Sequence, residues 1–422
     1  MKKIKCHILL VSLIFGGITP CISQEPDTLI QKLVGQISDS LYTNSVQRLQ
    51  DFNTRYELSD SIGPAGQWIY DQFIGYGYTD VVFDSFTWTP TVGDTPIVSR
   101  NILATKPGFP ASDSLVILGA HYDSINDWLS EEDPNAPAPG ANDNATGVAG
   151  VLEIARLLEP YSFEKTIVFA CFAGEEVGFG GSSDYVSKLY FQGTPVRLSL
   201  VFDELGYQRI HTQFPVVVDG IIDYLDDALR TAQLGLLYSR KLDPYIAFGY
   251  YGSDHRILEL VGPALLIIEE LRFPPGVHTE FDLIDSLSME YATEILKMGL
   301  ASIADVAKFD VVGIRSSDEK SDTHIPRTII LNQNYPNPFN PTTTISFDIP
   351  GEAGEKQHVK LNIYDLRGRH VKTLIDSELE PGSHKVVWDG RTEHGNTVSS
   401  GVYIYNITSN NTSYSRKMIM LK

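Results

Sequence analysis

Cysteine is scarce in this 422-residue chain: there are three, and Cys6 and Cys21 both fall within the first 23 residues. Beyond that point Cys171 stands alone, so no internal disulfide can hold the fold, and stability must come from core burial or bound metal. Positive charge is also short. Lys plus Arg number 33 against 53 Asp plus Glu, a formal charge of −20 spread along the sequence. Such a surface repels phosphate backbones and anionic lipid, which argues against nucleic-acid binding and peripheral membrane attachment. Past residue 23 no apolar run is long enough to cross a bilayer, so no transmembrane helix is expected in the mature chain. What remains is ordinary globular composition, 42 % hydrophobic, 10 % aromatic and 20 % charged, over a length that suits roughly two or three domains.

The first 23 residues read as an address. A basic start, Met1-Lys2-Lys3-Ile4-Lys5, precedes a mostly apolar run to Ile18 and then Thr19-Pro20-Cys21-Ile22-Ser23, the layout of a secretory signal peptide with cleavage after Ser23. Pro20 is a poor fit to a lipidation site at Cys21. Removal of residues 1–23 takes three lysines and no acid, leaving −23.

Two textures follow. From residue 24 to about 310, short apolar runs at 114–119, 166–172, 198–202 and 264–268 alternate with helical periodicities such as Val148, Val151, Leu152, Ala155 and Leu158. That alternation predicts an α/β domain with strands buried on both faces. Residues 311–327 are polar and charged and read as a linker. After them, alternating segments such as 344–349 and 359–363, punctuated by Gly, Pro and Asn, predict a small all-β sandwich over 328–422.

The polar residues worth most sit where the apolar runs stop. In Ala120-His121-Tyr122-Asp123, the i, i+2 spacing lets Asp123 sit behind the His121 imidazole and fix its tautomer; from this pair alone, a loop histidine satisfied by its neighbour is the better reading. In Gly140-Ala-Asn-Asp143-Asn-Ala-Thr-Gly147, Asp143 precedes a helix and could simply cap it, but the crowded Gly and Asn also permit a backbone tight enough to aim both carboxylate oxygens at one centre. Gly174-Glu175-Glu176-Val-Gly178 places two acids after a buried run, where they are costly unless something positive is present. Adjacent side chains diverge, so one can ligate a metal while the other holds a water. Asp203 closes the run 198–202, and His278 follows the run 264–268 beside Glu280 and Asp282. Gathered together, Asp143, Glu175, Glu176 and Asp203 need positive charge. Two divalent ions about 3.5–4 Å apart would supply it, with imidazoles completing the shells. Oxygen and imidazole donors without thiolate suit zinc first, then manganese or cobalt.

The series Gly119-Ala-His121-Tyr-Asp123-Ser, Gly140 to Gly147, Gly174-Glu175-Glu176-Val-Gly178, Asp203, Ser253-Asp254-His255 and His278-Thr279 resembles the secreted di-zinc aminopeptidase family over most of residues 40–305. The resemblance implies a mixed central sheet flanked by helices and two Zn2+ per chain. His121 and Asp203 would bind one zinc, Glu176 and His278 the other, and Asp143 both. Glu175 would be the general base, Asp123 the orienting acid, and peptide or protein N-termini the substrate. Several relatives carry Tyr before the last histidine, where this chain has Val277; Tyr207, Tyr250 or Tyr251 could substitute. His255 reads as structural.

Asn334-Tyr-Pro-Asn-Pro-Phe-Asn-Pro341, Tyr364-Asp-Leu-Arg-Gly-Arg369, Gly401-Val-Tyr-Ile-Tyr405 and the ending Lys417 to Lys422 resemble the type IX secretion sorting domain. That resemblance implies engagement of the type IX machinery through residues 328–422 and a secreted or surface-attached product; a generic Ig-like adhesion module is the alternative, and the ordered landmarks favour sorting. Two other functions compete with the aminopeptidase. A glutaminyl cyclase uses a similar frame but usually brings Trp to the position of Val277. A catalytically dead binding module should have lost ligands, and all are present.

Overall fold

The computed structural model describes residues 25–309 apart from 92–94, 110–111, 113, 210–213, 250 and 270–273, and residues 330–420 apart from 332–333, 335–338, 350–355, 366–368 and 410–411. The expected signal peptide (1–23) and linker (311–327) lie outside the described residues. The chain divides into two compact units, residues 1–310 and 311–422.

The first unit begins with α1 (Thr28–Val34), α2 (Asp39–Gln50) and α3 (Ile62–Tyr76). Asp27 caps α1 by accepting from the Leu29 and Ile30 amides, and Ser38 caps α2 through Leu41. Then come β1 (Val81–Trp88), β2 (Ile97–Lys106), β3 (Leu115–His121), α4 (Gly147–Leu158), β4 (Thr166–Phe172), α5 (Gly180–Gln192) and β5 (Val196–Asp203). β6 (Pro215–Gly220), α6 (Leu225–Tyr238), β7 (Asp243–Phe248), α7 (His255–Leu258), β8 (Ala264–Glu269) and α8 (Met289–Ala307) complete it. One eight-stranded sheet results, in the order β1-β2-β4-β3-β5-β8-β6-β7. β4, β3, β5 and β8 are mutually parallel, while β1 against β2, β2 against β4 and β6 against β8 are antiparallel.

The four central strands are the apolar runs of the sequence, and alternation along them splits their side chains between two cores. Val116, Leu118, Phe169, Leu200 and Phe202 enter the larger core with residues of α2, α4 and α8. Ile117, Val168, Ala170, Phe172 and Val201 enter the second with Tyr185, Val186 and Leu189 of α5 and Leu258 of α7. Helices on both faces explain why these strands carry almost no polar residue until they end.

The second unit is all β. β9 (Ile330–Leu331), β10 (Thr343–Ile349) and β13 (Gly382–Trp388) form one sheet; β11 (Gln357–Asp365), β12 (His370–Leu379), β14 (Gly401–Ser409) and β15 (Thr412–Met420) form the other. Phe347, Leu361, Ile363, Trp388 and Tyr405 are buried in their shared core. No helix among the described residues is long and apolar enough to cross a membrane.

Candidate metal centre

Because the four central strands are parallel, their carboxyl ends open on one edge of the sheet, the place where open α/β sheets bind ligands. β3 ends at His121 with Asp123 just beyond, β4 leads to Glu175 and Glu176, β5 ends at Asp203, and the loop after β8 carries His278. Asp143 departs from the strand-end expectation. It lies in the irregular segment Ala141–Thr146 that enters α4, with an extended φ of −112° and ψ of 93°, and its peptide bond to Asn144 is cis. Nor does it cap α4, whose Gly147 amide donates to Asn144 at 2.9 Å. Gly140 starts the segment at φ 55°, where a Cβ would lie 2.5 Å from the Asp143 carbonyl oxygen and 2.6 Å from Ser124 Cβ. Only glycine permits that approach.

The five expected ligands converge. His121 Nε2 lies 3.2 Å from Asp143 Oδ1 and 3.3 Å from Asp203 Oδ1. His278 Nε2 lies 3.0 Å from Asp143 Oδ2 and 3.1 Å from Glu176 Oε2. Asp143 thus turns one oxygen to each histidine. Donor atoms of His121, Asp143 and Glu176 fall within 4.8 Å of one another, and so do those of His121, Glu175 and Asp203. Glu175 and Glu176 diverge, as neighbours on a turn do, and Glu175 goes to the Asp203 side.

This crowding shapes the acid–base balance. Burial raises Glu175 well above the usual carboxylate range, and Glu176 and Asp203 raise it further while His121 opposes them. Glu176 is pushed up to about 7 by burial and by Asp143. Burial would raise Asp143 too, but hydrogen bonds from His121 and His278 hold it below the usual range. Burial would lower both imidazoles; Asp203 and Glu175 lift His121, and Glu176 and Asp143 lift His278, above the ordinary histidine value. The polypeptide alone recruits protons where a cation would sit. His121 Nδ1 and Glu176 Oε1 are buried without hydrogen-bond partners. A nitrogen and oxygen donor set with unpaired buried acids fits zinc.

Other residues hold these in place. Asp123, fully buried, accepts the Glu175 and Glu176 amides at 3.1 Å each, and its Oδ1 is 3.6 Å from His121 Nδ1. Asp123 therefore grips the Glu175–Glu176 turn more closely than the imidazole it was expected to orient. Asp282 does likewise for the Asn142 and Asp143 amides, at 2.9 and 3.0 Å. Glu269 receives Asn142 Nδ2 at 3.0 Å and the Tyr207 amide; it closes an apolar strand as Asp203 does, a signal the sequence reading passed over. His278 adopts a left-handed φ of 56°, with Asp127 Oδ2 3.3 Å from its Nδ1. Arg55 is fully buried, yet its guanidinium donates only to carbonyls of Tyr122, Leu49, Pro139 and Gly140, between 2.6 and 3.0 Å. It staples the His121 strand end to the loop that delivers Asp143. Of the tyrosines, Tyr250 lies outside the described residues, and Tyr251 is buried with its amide on Asp219. His255 is buried with its Nε2 3.8 Å from Asp219 Oδ2.

Residues 101–303 match peptidase family M28, and residues 334–413 match the FlgD Ig-like domain. The chain is 28 % identical over 292 residues to a probable leucine aminopeptidase of Trichophyton verrucosum, covering 66 % of this chain and 76 % of that one. A probable zinc metalloprotease of Pyrenophora teres f. teres is 35 % identical over 177 residues, 38 % of this chain and 37 % of the relative. LapB from Legionella pneumophila aligns with a TM-score of 0.55 at 26 % identity, covering 67 % and 75 % of the two chains. A glutaminyl cyclase from Bacteroides thetaiotaomicron aligns with a TM-score of 0.54 at 21 % identity over 64 % and 98 %, a likeness of fold. With its two imidazoles and its acids gathered at the strand ends, the first unit is similar to peptidase family M28 over residues 101–303, and the chain is a zinc-dependent hydrolase.

Proposed function

We propose that the chain is an aminopeptidase that removes residues from the N-termini of peptides outside the cell. The observation that carries this reading is the placement of Asp143 between two histidines, one oxygen to each, with Asp203 completing one side and Glu176 the other. In this reading His121 and Asp203 would hold one zinc ion, Glu176 and His278 a second, and Asp143 would serve both. Bound zinc acidifies water and polarises a carbonyl. Glu175 is the general base. Its carboxylate sits beside His121 and Asp203, free of any turn-forming role, and burial raises its proton affinity above that of an ordinary carboxylate, the direction that proton transfer needs. It takes a proton from the attacking water and returns it to the departing amine. Asp123 keeps Glu175 and Glu176 pointed apart by holding their amides.

Residues 1–23 are read as the export signal, 311–327 as a linker, and 328–422 as a sorting domain for the type IX machinery, giving a secreted or surface-attached enzyme. The FlgD Ig-like match over 334–413 agrees with a sandwich there.

The test is a substrate panel with zinc-loaded full-length protein, with and without chelator: leucinamide, Leu-Gly-Gly, N-acetylated Leu-Gly-Gly and a peptide beginning with glutamine. Release of leucine from the free-amine substrates alone, lost on chelation, is expected. Cleavage of the blocked peptide would reject exopeptidase polarity, and ammonia from the glutamine peptide would favour the cyclase.

A further inference from the structure

The ligands of the centre are not equally enclosed. His121 has 1 % of its side chain exposed and Asp143 and Asp203 8 % each, whereas His278 has 23 %. The centre therefore opens to solvent at the His278 loop. Large apolar side chains stand out in water on the two segments that carry and support that loop. Trp128 is 79 % exposed and Leu129 40 %; Phe281 is 66 % exposed and Leu283 36 %. Trp128 adjoins Asp127, whose amide donates to the His278 carbonyl at 3.1 Å, and Phe281 follows His278 by one short turn.

Slack loops do not explain this exposure. Asn126 is buried and takes hydrogen bonds on both sides of the rim. Its Nδ2 donates to Pro137 O at 2.9 Å and Glu280 Oε2 at 3.2 Å, and its Oδ1 accepts the Trp128 amide at 3.1 Å. The Thr279 hydroxyl closes its own turn on Gly276 O at 2.7 Å. Two aromatic side chains are thus held in water by firm backbones, beside the one partly open ligand. Exposed apolar groups on both of the segments that meet at the Asp127–His278 contact are placed to line a binding surface.

We infer that Trp128 and Phe281 form an apolar rim that receives the side chains of the second and third residues of a peptide substrate. The inference rests on the aminopeptidase reading and names a specificity that reading leaves open. An exopeptidase buries one end of its substrate, so the N-terminal residue occupies the enclosed side, near His121 and Asp203. The chain beyond the scissile bond must leave through the opening, past His278 and between these two segments. An aromatic ring there gains by covering the exposed faces, whereas glycine gains nothing.

The experiment compares kcat and KM of the zinc-loaded full-length protein on Leu-Phe-Phe, Leu-Gly-Gly and leucinamide, for wild type, Trp128→Ser, Phe281→Ser and the double variant. Wild type is expected to prefer Leu-Phe-Phe over Leu-Gly-Gly. Each single variant is expected to cut that preference about tenfold, through KM, the scale set by one lost apolar contact in a specificity site. Both side chains are exposed, so thermal midpoints should stay at the wild-type value and separate a lost contact from a lost fold. A wild type without the preference, or a double variant that keeps it, overturns the rim. A wild type that cleaves none of the three free-amine substrates overturns the aminopeptidase reading itself, and the rim with it.

Discussion

His121 and His278 face Asp143 from opposite sides, yet one is enclosed and the other partly open to water. His121 belongs to β3, a strand flanked by parallel partners and covered by helices on both faces. His278 belongs to a loop, in a left-handed backbone conformation that surrounding contacts must maintain. The enclosed side holds Glu175, Asp123 and Asp203; the open side holds Glu176 and Asp127. A rigid, dry half suits proton transfer, where a displaced group would be costly, and a looser half suits the passage of substrate.

Replacing the base tests the division most severely. Glu175→Gln should lower kcat about 10³-fold while zinc per chain, read by mass spectrometry, stays at the wild-type level. Loss of zinc together with activity would make Glu175 a ligand and move the boundary between the halves. Next is Arg55, which ties the His121 strand end to the loop that delivers Asp143. Arg55→Met takes a donor from four buried carbonyls, of which those of Leu49 and Gly140 keep a backbone amide, and should cost about 3 kcal/mol in urea unfolding. Arg55→Lys should recover only part, because an ammonium cannot span four acceptors. The comparison itself is sharpened by its two supporting acids. Asp123→Asn should weaken zinc affinity about a hundredfold and Asp127→Asn about tenfold, in chelator competition. Equal losses would erase the distinction between enclosed and open sides.

The smallest effect concerns pH. Glu57 is buried on the enclosed side and its carboxyl is pushed up to about 8, first by burial and then by Asp123, against hydrogen bonds from Ser99 and the Gly174 amide. Between its ordinary value of 4.5 and about 8, the folded chain keeps a proton that the unfolded chain has released. Its contribution to stability is therefore greatest below the ordinary value and declines as pH rises to about 8. Glu57→Gln should flatten that decline, measured as the difference between urea midpoints at pH 5 and pH 8.

The enclosed half was the legible half. An apolar run that stops at His121, Glu175 or Asp203 declares a buried strand and its carboxyl end in one stroke, because nothing else makes an acid follow such a run profitably. The open half is assembled across great sequence separation: Asp127 and His278 are 151 residues apart and meet only through loops. Arg55 lies in a polar stretch where any cation reads as solvated surface; its partners are carbonyls, which no residue type announces. From the residues alone Asp143 read as cap or ligand alike, and the crowded Gly and Asn around it signalled a tight backbone without describing its path, since glycines permit many.

Asp123 and Asp282 share one habit, each accepting two consecutive main-chain amides. Such an amide is identical whatever side chain its residue bears. The clasp is therefore blind to the identity of residues 143, 175 and 176, and should present replacements there at the same places and angles. Chemistry at this centre is separable from the chassis that displays it, to which the Asn142 side chain belongs through Glu269 and the Gly206 amide, and this makes those three positions the natural ones to rewrite when a new reaction is wanted from an unchanged frame.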